Sequence, residues 1–136
     1  MQRSNLIILP FAIFCLLSSQ IAWSEPANPD CSNPRAAIQS LLDWLQPEHF
    51  DASKAATCIE TSSGEESEVA ELRARQILDI LDARGAFVVL EDISTDPNFI
   101  DSEGKAEVAM SPKLPSILVE KRNNRWIVSR ETQVRV

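Results

Sequence analysis

The chain has 136 residues, with 20 acidic residues against 13 basic ones, three cysteines and a single histidine. A formal net charge of −7 argues against nucleic acid and anionic lipid as partners, because both demand a basic surface. One histidine, with no cysteine at ligand spacing from it, leaves no zinc constellation.

The first residues, MQRSNLIILPFAIFCLLSSQIAWSE, have the layout of an export signal. Arg3 supplies the positive start, and Leu6 to Leu17 forms an apolar run shorter than the roughly 20 residues a bilayer span needs. Ala22-Trp23-Ser24 offers a small-x-small cleavage site before Glu25. The expected division is therefore a signal over 1–24, an extended lead-in over 25–32, and one small domain over 33–136. Cleavage removes Cys15 and leaves the pair Cys31 and Cys58. In an exported chain such a pair suggests a disulfide. It closes a loop that chain entropy makes worth about 3.5 kcal/mol. Two free or buried thiols are the other reading, since sequence does not bring the side chains together.

The first helix opens at Asn33, a capping residue, followed by Pro34 at the first helical position. Ile38, Leu41, Leu42 and Leu45 make its apolar stripe, Trp44 flanks it, and Pro47 marks the stop. A shorter helix is predicted from Asp51 to about Cys58, with a small-residue face of Ala52, Ala55, Ala56 and Ile59. Ser63 and Glu66 have capping-box spacing, and a third helix follows over about 65–84. Its predicted core face is Leu72, Ile77, Ile80 and Leu81, and Gly85 ends it.

Beyond Gly85 the pattern becomes β. Ala86 to Leu90 is predicted as a strand, Glu91 to Gly104 as an acidic loop with a turn at Asp96-Pro97-Asn98, and Lys105 to Met110 as a second strand. Pro112 and Pro115 bracket a predicted break. Ser116–Lys121 and Arg125–Ser129 then form a hairpin across Asn123-Asn124. The fold class is α+β: about three N-terminal helices packed on a small, mostly antiparallel sheet ending in a β-hairpin.

No residue earns a catalytic, cofactor-binding or metal-ligating assignment. Asp96, Asn98, Asp101 and Glu103 come nearest to a calcium loop, yet Ile100 stands where an oxygen ligand belongs, and a solvated acidic loop is the reading. His49 has no second histidine to work with, and no serine sits in a G-x-S-x-G elbow. Trp126, flanked by Ile127 and Val128, reads as a core plug rather than a binding platform. Lys121, Arg122 and Arg125 gather at the hairpin tip, where they solvate an edge or contact an acidic partner.

Three stretches taken in order carry a resemblance. They are Asn33-Pro34-Arg35-Ala36-Ala37, then Ala74-Arg75-Gln76-Ile77-Leu78-Asp79-Ile80-Leu81-Asp82, then the hairpin with Pro115, Ile117 to Lys121 and Trp126-x-x-Ser129-x-x-Thr132. Together with Ile93-Ser94 and Asp96-Pro97, the set resembles the extracytoplasmic N-terminal domain of MscS-type mechanosensitive channels, from Asn33 to Val136. The resemblance implies a non-enzymatic periplasmic accessory domain. Its implied partners are inner-membrane channel subunits, or a membrane region of its own that the sequence given does not contain. No pore residue carries over. The alternative is a stand-alone exported NTF2-like binding module, with an apolar pocket lined by Trp44, Phe87, Phe99 and Trp126. A secreted enzyme is the third reading.

Overall fold

The computed structural model describes residues 24–129. The residues up to Trp23, on which the expected export signal falls, and the tail that includes Thr132 lie outside them. The chain folds as α+β, with its helices first and an antiparallel three-stranded sheet after them.

Helix α1 spans Pro34–Asp43. Asn33 is extended (φ −147°), and its side-chain oxygen accepts from the Ala36 N–H at 2.9 Å, satisfying one of the orphan donors of the first turn. Ile38 and Leu41 are fully buried and Leu45 nearly so, while Leu42 is half-buried at the margin. Trp44 is itself a core residue, and its indole N–H donates to Ala27 O at 3.2 Å. Pro47 stops the helix and opens a 3-10 turn, Pro47–His49.

The predicted 51–58 helix divides in two. Helix α2 covers Ala52–Ala55, capped by Asp51 through the Lys54 N–H at 3.0 Å, and a 3-10 turn over Ala56–Cys58 completes it. Helix α3 runs over Ser67–Ala83. The Ser63–Glu66 capping box does not form. Glu65 is instead held before the helix by Arg73 at 2.6 and 2.9 Å and takes the Ser62 N–H at 2.9 Å. The pair is bidentate and charge-assisted, and the helix begins after Glu66 with no side-chain cap.

The buried seam of α3 is Ala70, Ala74, Ile77 and Leu81. Leu72 is not part of it. It stands 55% exposed, because two positions from Ala70 is about 200° around a helix. The helix ends in a Schellman motif: Ala86 N–H donates to Leu81 O at 2.9 Å and Gly85 N–H to Asp82 O at 3.1 Å. Gly85 takes the left-handed conformation this requires (φ 56°).

Ala86–Leu90 is not a strand. Val89 is extended, and the chain then turns into a 3-10 segment at Leu90–Asp92. Side chains rather than a ladder anchor it. Ser111 Oγ donates to Phe87 O at 2.9 Å, and Lys113 Nζ to Gly85 O at 3.0 Å.

The sheet is a meander of β1 (Glu107–Ser111), β2 (Leu114–Arg122) and β3 (Arg125–Val128). The predicted break at the two prolines is a hairpin. Pro112 lies in the turn between Ser111 and Leu114, and a register shift between Ala109 and Ser111 accompanies Pro115 inside β2. The second hairpin turns at Asn123 (φ 50°) and Asn124 (φ 62°), with Arg122 opposite Arg125. Ile117, Val119, Trp126 and Val128 line the core face and are at most 1% exposed. Helix α1 packs on β2 and β3, while α2 touches both α1 and α3.

Candidate interaction surface

Cys31 and Cys58 are bridged, with Cα atoms 5.7 Å apart. Their segments flank the outer edge of β3. Trp126 N–H donates to Cys31 O at 2.8 Å, and Glu60 N–H donates to Val128 O at 3.1 Å beside a parallel bridge between Ile59 and Val128. The disulfide thus ties together the two pieces of chain that close this edge. A closed edge is protected against pairing with other chains.

The hairpin cations are brought close by the turn but diverge in use. Arg122 bonds Glu60 at 2.8 Å and Glu120 at 2.9 Å. Arg125 donates to Thr57 O at 2.9 Å and approaches Cys31 Sγ at 3.3 Å. Lys121 lies in the row of Trp126 and donates to Asn98 Oδ1 at 2.9 Å. Like charges directly opposite across a ladder repel, and separate intramolecular partners relieve that between Arg122 and Arg125. Arg122 still leaves 42% of its side chain exposed.

The acidic loop directs its oxygens at its own backbone. Asp96 Oδ1 accepts from Asn98 N–H at 2.8 Å, and Asp101 Oδ1 accepts from the N–H groups of Glu103 and Lys105 at 2.9 and 2.8 Å. Glu103 pairs with Lys105 at 3.0 Å. That hydrogen bond, with the charges of Glu103 and Glu107, raises the Lys105 pKa above the ordinary lysine value. Among the described residues no group of three or more His, Cys, Asp or Glu is placed to hold a metal ion. His49 lies half-exposed in its 3-10 turn. Trp126 is fully buried and donates its indole N–H to Pro97 O at 3.0 Å, which pins the loop onto the sheet.

Two clefts among the described residues have walls that mix polar and apolar groups. One of about 280 Å³ lies between α2 and the start of α3, with Ser53, Thr57, Thr61, Ser67 and Glu71 in its wall. Another of about 330 Å³ opens beside the disulfide, against Ser32, Thr57, Asn124 and Arg125.

Several large apolar side chains face solvent instead: Phe87 at 77% exposure, Leu72, Ile100, Phe50 and Val89. Phe50 carries the Arg75 guanidinium over its ring at 5.2 Å. Sequence reasoning placed Phe87 and Val89 in a strand and so missed their exposure. The signal was present in Gly85, whose C′ role commits the following residue to the helix end. Among the described residues no helix is long and apolar enough to cross a membrane. Comparison with protein-family models, curated proteins and solved structures finds no match for this chain.

Proposed function

We propose that the chain is an exported, non-enzymatic accessory domain that works through surface contacts, in the manner of the extracytoplasmic domain of MscS-type channels it resembles. The observation that carries this reading is the convergence of the three resembling stretches. Ala37 from the first, Ala74, Ile77 and Leu81 from the second, and Ile117, Val119 and Trp126 from the third share one hydrophobic cluster. Segments far apart in sequence that make a single core are a unit, and a resemblance spread across them is a resemblance of that unit. The disulfide supports export, because such bridges persist in oxidising compartments. The small-ligand alternative has less support. Trp44 and Trp126, two of its four pocket aromatics, are core residues, and Phe87 projects outward.

The test is photo-crosslinking in cells from position 124 at the exposed hairpin tip, followed by fractionation. The proposal expects an oxidised, extracytoplasmic chain with an adduct to an inner-membrane channel protein. A reduced cytoplasmic chain, or an extracytoplasmic one free of membrane adducts, would sink it.

A further inference from the structure

The segment Ala86-Phe87-Val88-Val89-Leu90 has strand composition, and Val89 has extended backbone (φ −102°, ψ 97°), yet the segment joins no sheet. Phe87 and Val89 project into solvent at 77% and 48% exposure, with half-buried Val88 between them. In extended chain a residue's N–H and C=O point to one edge and its neighbours' to the other. Phe87 O points at Ser111 Oγ, so the Val88 N–H and C=O point to the opposite edge. Neither has a hydrogen-bond partner among the described residues. One edge of this segment is therefore fastened to the end of β1, and the Val88 edge has no hydrogen-bond partner among the described residues.

We propose that the open edge pairs with the same segment of a second copy, antiparallel and two-fold symmetric about Val88. The register is self-complementary. Val88 faces Val88 and exchanges both backbone hydrogen bonds, and each Phe87 faces the other copy's Val89, an aromatic against a β-branched side chain. The charges flanking the segment choose this occupant. Arg84 precedes it, with Lys113 bonded to Gly85 O, and Glu91 and Asp92 follow it. Antiparallel pairing sets the basic end of one copy near the acidic end of the other, with Arg84 in the α3 cap and Asp92 in the 3-10 turn just beyond the paired residues. Both residues are exposed, and neither forms an ion pair among the described residues. A parallel mate would instead align like charges. The contact is isologous and closes at two copies. It is short, so association is weak and concentration-dependent. This goes beyond the accessory role above and does not depend on it.

Sedimentation velocity on the oxidised chain, expressed from its own first methionine and purified without detergent, tests the proposal. The expected result is a monomer that shifts toward a dimer as concentration rises to about 1 mM, as a small interface requires. Val88→Pro removes the central donor, which has no intramolecular partner, and should weaken dimerisation about tenfold. Should that variant lose its near-UV tryptophan signal, the charge pair decides: Arg84→Glu weakens the dimer and adding Asp92→Arg restores it. A chain that stays monomeric throughout, a dimer indifferent to a folded Val88→Pro, or a charge swap without rescue overturns the proposal.

Discussion

The backbone N–H of Trp126 donates to the carbonyl of Cys31 across 2.8 Å, so the residue that plugs the core and a half-cystine hold the same strand edge. On the other side of Trp126 the indole N–H reaches Pro97 O. One side chain and its backbone thus join the lead-in, the sheet and the acidic loop.

Removing the bridge should loosen that edge as well as the unfolded chain's constraint. Cys31→Ser combined with Cys58→Ser is expected to cost about 3 kcal/mol in urea unfolding. Amide exchange at Trp126 and Glu60 should quicken with it. Equal stability of the oxidised and double-serine chains, within about 0.5 kcal/mol, would count against this role.

Two substitutions separate the packing of Trp126 from its hydrogen bond. Trp126→Ala is expected to lose about 3–5 kcal/mol, since the side chain is fully buried. Trp126→Phe should lose less in total while leaving Pro97 O without its donor, and should speed exchange in the 94–98 turn. Equal losses from the two variants would show that the indole N–H, rather than volume, governs the site.

The hairpin turn can be improved. Asn124 lies at φ 62°, which glycine adopts at less cost than asparagine. Asn124→Gly should stabilise by about 0.5 kcal/mol, whereas Asn124→Val should destabilise by more than 1 kcal/mol, as roughly expected for a β-branched residue at positive φ. Thermal unfolding of the pair checks the sign, and a stable valine variant would contradict the turn.

Lys105 provides the pH prediction. Its folded pKa is raised, chiefly by the hydrogen bond to Glu103 and then by the charges of Glu103 and Glu107. A raised base holds its proton more tightly when folded, so its contribution is complete below the unfolded lysine pKa and fades as pH climbs through the higher folded value. NMR titration of the ammonium should show a midpoint above that of Lys105 in the Glu103→Gln variant. Coincident midpoints would refute the coupling.

Local chemistry was legible where one residue type has one low-energy use. Asn33-Pro34 opens α1, Asp51 caps α2, Gly85 ends α3, and Asn123-Asn124 turns the last hairpin, each as the sequence predicts. Apolar spacing identified Ile38, Leu41, Ile77 and Leu81 as core, and composition identified the α+β class. Contacts between distant segments decided the rest. Arg73 holds Glu65 ahead of α3, where the expected Ser63–Glu66 cap does not form, and the fold brought Cys31 to Cys58, a pairing sequence left open. Tertiary structure also left Ala86–Leu90 unpaired despite its strand composition, because a strand exists only where another backbone meets its edge. Propensity belongs to the residue; pairing belongs to the fold.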